Sequence, residues 1–111
     1  MKSLLFATFA LLSAAPALAG QPSIVGRWGT PGDGCSGNLS IFIQPLSLSS
    51  EDVTCTFTSV KRAGNTVTWH GTCDDAEGSA EQTVIATLNG KVLSFRYEPG
   101  GNVVTGLRRC K

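Results

Sequence analysis

Residues 53–73, VTCTFTSVKRAGNTVTWHGTC, decide the fold of this chain. Apolar and polar side chains alternate with a period of two on both sides of residues 63–65, which predicts two half-buried strands joined by a hairpin turn. A three-residue loop at 63–65 fixes the register of the hairpin. The predicted cross-strand pairs are Ser59 with Trp69, Phe57 with Gly71, and Cys55 with Cys73. The hairpin therefore has an apolar face, a threonine-rich face and a candidate cross-strand disulfide.

Residues 1–19 have the pattern of a cleavable signal peptide. Lys2 is the charged start, residues 4–15 are a short apolar run, and residues 17–19 read Ala-Leu-Ala, a typical cleavage site. The run is too short for a membrane-spanning helix. We therefore expect a periplasmic or secreted protein with no membrane span, whose residues 20–111 form a single domain.

The cysteine count and the charge limit the classes of function. The four cysteines favour two disulfides in an oxidising compartment, while a zinc site is the less favoured alternative because no C-x-x-C spacing is present. Without Lys2 the nine basic residues become eight, which equals the eight acidic ones. This near-neutral balance gives no indication of nucleic-acid binding. We predict no cofactor.

Short alternating segments separated by turn residues predict an all-β domain with about seven strands. Beside the central hairpin, strands are expected at residues 24–29, 38–44, 82–88, 91–97 and 103–110. Asn89-Gly90 is a strong signal for a two-residue hairpin turn, and it predicts pairing of Leu88 with Lys91 and of Ala86 with Leu93. Consecutive antiparallel strands form an up-and-down meander, which loses its free edges when it closes into a small barrel.

Following the chain through this seven-strand meander assigns each residue to one end of the barrel. Cys55 and Cys73 fall at one end, whereas Cys35, before a rising second strand, and Cys110 fall at the other. Because a disulfide needs Cα atoms within about 7 Å, we predict the bonds Cys35–Cys110 and Cys55–Cys73.

The same assignment separates the charges into an acidic rim and a basic rim. The acidic rim comprises Glu51, Asp52, Asp74, Asp75, Glu77, Glu81 and Glu98. The basic rim comprises Arg27, Lys61, Arg62, Lys91, Arg108, Arg109 and Lys111. Such rims are typical of wet loops, and an acidic one can also steer a cationic protein.

Few residues suggest chemistry. His70, the single histidine, is expected to be exposed on the threonine-rich face, and no catalytic motif accompanies it. The Asp74-Asp75-x-Glu77 loop lacks the regular ligand spacing of calcium loops, so we expect a solvated loop and no metal. The outer sheet face carries Ile85, Val92 and Leu107, which predicts either an exposed apolar patch or a bulge that changes their facing.

Gly26-Arg27-Trp28 and a late arginine, Arg108 or Arg109, resemble the lipocalin-like barrel superfamily. In that group the tryptophan closes one barrel end and the arginine packs across it, which assigns barrel closure here to Trp28 and Arg108. Within the group the chain is similar to small secreted bacterial peptidase inhibitors, in which a cysteine, here Cys35, follows the strand. Bacterial lysozyme inhibitors are similar in size, compartment and β-architecture.

The resemblance and the charge pattern together lead to a functional hypothesis. We expect a non-enzymatic binding protein, a monomer or weak dimer, that inhibits a peptidase or a cationic lysozyme by protein contact. The candidate contacts are the N-terminal segment, inserted as a strand, and the acidic loop: Gln21, Pro22, Ser23, Ile24, Val25, Asp74, Asp75 and Glu77. The alternatives are a cell-envelope interaction module that uses the apolar sheet face and a small-ligand barrel. We expect side chains to fill the small interior, so a ligand cavity is the less favoured alternative.

Overall fold

The computed structural model describes residues 23–111, which form a closed antiparallel barrel of eight strands. Each strand pairs with the next, and the last pairs with the first. The strands are β1 (Gly26–Gly29), β2 (Ile41–Gln44), β3 (Ser47–Ser49), β4 (Thr54–Ala63), β5 (Thr66–Asp75), β6 (Gly78–Asn89), β7 (Val92–Glu98) and β8 (Val103–Arg109). The all-β barrel is confirmed. The predicted signal peptide, Gln21 and Pro22 lie outside the described residues.

Strand β3 is the element that the sequence pattern did not predict. Pro45 follows the end of β2, the chain turns at once, and Ser47 pairs back to Gln44. The segment between the predicted strand at 38–44 and the central hairpin therefore contains a short strand. Because one extra strand reverses every strand before it, β2 runs in the direction opposite to the predicted rise.

Both predicted disulfides are confirmed. Cys55–Cys73 joins directly opposite residues of β4 and β5, whose Cα atoms are 4.0 Å apart. Cys35–Cys110 joins Cα atoms 5.7 Å apart. Although the direction assigned to β2 was wrong, Cys35 still reaches Cys110. The backbone carbonyl of Cys35 accepts a hydrogen bond from Arg27 Nη2 at 2.9 Å, which places the loop after β1 close to that strand.

A β-bulge corrects the predicted register of the β4–β5 hairpin. Cys55 pairs with Cys73 and Phe57 with Gly71, as predicted, but Ser59 pairs with His70 and Val60 with Trp69. Thr58 is the extra residue, and it compensates for a turn that is one residue tighter than expected. A Cβ on Gly71 would lie 2.1 Å from the Thr56 carbonyl oxygen, so this glycine permits a close backbone approach at the bulge.

One further register prediction was wrong. The β6–β7 hairpin turns at Gly90-Lys91 and pairs Ala86 with Phe95, two residues from the predicted partner Leu93. The β7–β8 pairing shifts between Leu93 and Phe95, and the extra residue on β8 turns Leu107 into the core, where it is 2% exposed. Of the two alternatives for the outer sheet face, the bulge that changes the facing is therefore confirmed for Leu107, and the apolar patch loses this residue.

The core fills one part of the barrel more completely than the other. Phe57 and Trp69 stack with their ring centroids 4.9 Å apart, and Ile43, Leu48, Val84 and Leu93 are fully buried around them. Leu39, which the strand predicted at residues 38–44 included, lies in a 3₁₀ turn and is 52% exposed. We call the end at residues 23–26, the turn at Pro45-Leu46 and Arg109 the closed end. We call the end at residues 50–53, 75–78 and 98–102 the open end.

The barrel strands are accompanied by little helical structure. Among residues 23–111 the model contains no helix with the length and apolar content that a membrane crossing requires.

Candidate functional site

The closed end is sealed by a tryptophan and an arginine from the first and last strands. Trp28 is 2% exposed, and its Nε1 donates a hydrogen bond to the carbonyl of Ile24 at 2.9 Å. The guanidinium carbon of Arg109 lies 4.4 Å from the centroid of the Trp28 ring. The structure therefore gives the packing position to Arg109, whereas Arg108, to which closure was assigned, pairs with Gly29 and is exposed.

The N-terminal residues are held by this closure. Arg109 donates from Nη1 to the Val25 carbonyl at 2.9 Å and from Nη2 to the Ser23 carbonyl at 2.6 Å. Ile24 is 3% exposed within the core. Residues 23–25 of the predicted inserting segment are thus engaged by the barrel itself, and their insertion into a partner would require the loss of these contacts.

The open end contains a cup of about 590 Å³ that enters the barrel interior. Its walls are mainly apolar and come from β2, β7, β8 and the loop before β4: Ile41, Phe95, Tyr97, Val104 and Val53. The Cys55–Cys73 disulfide borders it through Cys73. The expectation that side chains fill the whole interior is therefore wrong at this end, because the short strands β1 to β3 supply few large side chains there.

Gln82 contributes to the lining of the cup, and its side chain holds an unsatisfied polar atom. Its Oε1 is buried and finds no hydrogen-bond donor among residues 23–111. Buried polar atoms are paired in the great majority of cases, because an unpaired acceptor loses its hydration without compensation. Gln82 was not identified as a site residue, although the alternation of β6 places it on the same face as Val84 and Ala86, which are buried.

Carboxylates line the mouth of the cup. Asp52, Asp75 and Glu77 contribute to its lining. Asp52 lies in the β3–β4 connection, Asp75 ends β5, and Glu77 lies in the β5–β6 connection. Asp75 Oδ1 accepts a hydrogen bond from the backbone N–H of Glu77 at 2.8 Å, and the Asp74 carboxylate accepts one from the Ser79 hydroxyl. The structure thus brings the predicted acidic-loop residues together, with Asp75 and Glu77 at the cup and Asp74 beside it.

The aromatic wall of the cup includes the single tyrosine of the chain, Tyr97. Its ring packs edge-on against Phe95, with the centroids 5.8 Å apart. Burial raises the pKa of Tyr97 to about 12, because the phenolate is poorly solvated there. The phenol is therefore neutral at physiological pH.

The outer surface of the barrel has fewer candidate functional residues than the cup. His70 is exposed, as predicted, and its Nδ1 lies 2.9 Å from the Thr83 hydroxyl oxygen. Among residues 23–111 no group of three or more histidine, cysteine, aspartate or glutamate side chains is placed to hold a metal ion.

The barrel thus has one sealed end and one open, acidic end. Comparison of the chain with protein-family models, curated proteins and solved structures finds no match.

Proposed function

We propose that the protein is a secreted or periplasmic, non-enzymatic binding protein that inhibits a cationic hydrolase, either a lysozyme or a peptidase, through its open end. The observation that supports the proposal is the separation of charge along the barrel. The connections and strand ends at the open end carry Glu51, Asp52, Asp74, Asp75, Glu77 and Glu98, and of these Glu98 is paired with Arg96 at 2.9 Å. Toward the opposite end lie Lys61, Arg62, Lys91, Arg109 and Lys111.

This separation favours an oriented encounter with a positively charged protein. A chain that is near neutral overall has no long-range attraction for a cation, but its two unlike ends create a dipole that turns the acidic end toward one. The attraction acts over about 8 Å at physiological salt and is screened as salt rises. A partner recognised in this way should therefore bind faster and more tightly at low salt.

The contacts of the N-terminal residues favour the acidic loops as the binding element. Residues 23–25 give two carbonyls to Arg109 and bury Ile24 in the core, so a strand pulled out of this position would unseal the closed end. By contrast, Asp52, Asp75 and Glu77 are exposed and need no rearrangement to meet a partner.

The test is a titration of the oxidised protein against a cationic lysozyme and a secreted metallopeptidase, at low and at high salt. We expect loss of one enzyme's activity at a one-to-one ratio, with inhibition at least about tenfold weaker at high salt. No inhibition of either enzyme at equimolar protein would contradict the proposal.

Matched variants locate the contact. Combined Asp52→Asn, Asp75→Asn and Glu77→Gln substitutions should weaken inhibition, since they remove the charge and keep the shape of the mouth. Combined Lys61→Gln and Arg62→Gln substitutions neutralise charge far from the mouth and should leave inhibition unchanged. Equal effects of the two sets would place the contact elsewhere.

A small-ligand receptor is the second candidate, and the cup itself favours it. A concave, mainly apolar cavity with a few polar groups is typical of small-molecule sites, and its volume lies within their usual range of roughly 300 to 1,000 Å³. By comparison, the envelope module that was to use an apolar sheet face has lost support, because Leu107 faces the core.

A further inference from the structure

We propose that the cup binds a small organic cation with an apolar body, whose positive group stays at the mouth and whose inner end donates a hydrogen bond to Gln82. This inference goes beyond the proposed inhibition of a hydrolase and does not depend on it. Three features of the cup support it: the composition of its walls, the unpaired acceptor in its lining and the charge of its rim.

The apolar walls of the cup favour a ligand with an apolar body. Ile41, Val53, Phe95 and Val104 present hydrocarbon to the cavity, and Tyr97 adds the edge of a second aromatic ring. Covering such surface is favourable by about 25 cal/mol for each Å² removed from water. A fully hydrophilic ligand would gain nothing from these side chains.

Gln82 calls for a donor at the inner end. Its Oε1 has less than 1 Å² open to water and no partner among the described residues, so the amide must turn toward the cup before an N–H or O–H group of the ligand can replace the missing hydrogen bond. Gln82 lies four residues along β6 from Gly78 at the rim, a distance of about 13 Å along an extended strand. The donor therefore belongs on the part of the ligand that enters first.

The negative charge of the rim favours a positive group on the ligand. Asp52, Asp75 and Glu77 line the mouth, and within residues 23–111 no lysine or arginine side chain lines the cup. Tyr97 stays a neutral phenol and adds no charge of its own. A carboxylate ligand would approach three like charges, whereas an ammonium or guanidinium would gain from each of them.

Calorimetric titration of the oxidised protein with a matched set of aromatic probes tests the inference. The reference probes are 4-hydroxyphenylalkylamines with short, medium and long tethers, which carry an ammonium at one end and a donor at the other. For each tether the corresponding phenylalkylamine lacks the donor, and the 4-hydroxyphenylalkanoate reverses the charge. We expect the best hydroxyphenyl amine to bind about fivefold more tightly than its phenyl analogue and at least about tenfold more tightly than the acid.

The Gln82→Leu variant separates hydrogen bonding from a general effect on the fold. It keeps the size and removes the acceptor, so the preference for hydroxyphenyl over phenyl should disappear. Loss of affinity for both probes by the same factor would indicate a merely structural role. Persistence of the preference would overturn the assignment of the donor site.

A second pair of variants tests the rim. Asp75→Asn with Glu77→Gln should reduce the preference for the amine over the acid several-fold, and Asp75→Asn retains the Oδ1 that accepts from the backbone of Glu77. Glu81→Gln is the matched control, because Glu81 lies on β6 near the same end and outside the lining of the cup. Equal binding of amine and acid by the parent protein, or no binding of any probe at millimolar concentration, would overturn the inference.

The outcomes remain distinct from those of the inhibition assay. Amine binding without inhibition of either enzyme supports the cup as a ligand site and contradicts the proposed function. Inhibition without amine binding supports the proposed function and contradicts the assignment of the cup as a ligand site.

Discussion

The two ends of this barrel are built from similar alternating strands and reach opposite results. At the closed end, Trp28 is buried, its Nε1 is hydrogen-bonded, and Arg109 covers its ring while binding the carbonyls of Ser23 and Val25. At the open end, Gln82 Oε1 is buried without a partner among the described residues, beside a cup of about 590 Å³. The chain completes its packing at one end and leaves it incomplete at the other, and we infer that the incomplete end is the receptor.

Polar groups at the two ends show the same difference. Trp69 Nε1, like Trp28 Nε1, donates to a backbone carbonyl, in this case that of Pro45 at 3.1 Å. Since most buried polar atoms find partners in native proteins, the pairing of both indoles is the ordinary situation. Gln82 departs from it, and such departures concentrate where a structure awaits a ligand.

The largest expected effect concerns the disulfide of the closed end. Replacing Cys35 and Cys110 by serine should lower the free energy of unfolding by about 4.5 kcal/mol, because the bond closes a loop with a sequence separation of 75. Replacing Cys55 and Cys73 by alanine removes a bond with a sequence separation of 18. By the same loop-entropy relation, this should lower the free energy of unfolding by about 3 kcal/mol. Urea unfolding of both variants checks the order, and a larger loss for the second pair would contradict it.

Arg109 gives the next largest effect. Arg109→Ala should lower the free energy of unfolding by about 2 kcal/mol, since it removes two charge-assisted hydrogen bonds and the packing on Trp28. Arg108→Ala is the neighbouring control and should change it by less than about 0.5 kcal/mol, because both arginines are exposed but the two hydrogen bonds and the ring contact belong to Arg109. Equal losses in the two variants would mean that Arg109 does not seal the closed end.

Gln82→Leu should have the opposite sign. Removing a buried acceptor that has no partner should raise the free energy of unfolding by about 1 kcal/mol, whereas substitutions at the closed end lower it. Thermal and urea unfolding measure the change. A clear loss of stability would contradict this expectation, because it would show that the Gln82 side chain stabilises the open end.

The smallest effect is absent at neutral pH and concerns Tyr97. Its folded pKa is raised to about 12 from the ordinary value of 10.0, so the unfolded chain ionises first. The stability that the neutral phenol contributes is complete below pH 10 and is lost as the pH rises toward 12. Because Tyr97 is the single tyrosine, ultraviolet titration of phenolate reports its pKa directly, and Tyr97→Phe should remove this part of the pH dependence. A midpoint near 10 in the folded protein would contradict the burial of the ring.

Much of the fold could be predicted from alternation and turn residues. Residues 53–73 predicted the central hairpin and the Cys55–Cys73 pair, because a ten-residue strand repeats its period several times. Strand β3 has three residues and follows a proline, so it shows too little of a period to be recognised. The bulge at Thr58 was missed for another reason: the extra residue is fixed by pairing across strands and not by a local pattern. The bulge before Leu107 was one of two alternatives, and for the same reason the sequence did not decide between them.

The site was predictable in part. The clustering of acidic side chains at one end follows from counting strands, and the extra strand β3 leaves those after it unchanged. The cup depends on how much volume short strands supply to the interior, a property that a sequence pattern does not state. Gln82 did carry a signal, since it is a polar residue at an inward position of β6.

The most direct test of the contrast between the ends is nuclear magnetic resonance mapping of the labelled protein with the tightest hydroxyphenyl amine. The account predicts shifts of the Gln82 side-chain amide and of the methyl groups of Ile41, Val53 and Val104, with the indole N–H signals of Trp28 and Trp69 unmoved. Shifts concentrated at the two indoles, or spread evenly over the surface, would contradict the assignment of the open end as the receptor.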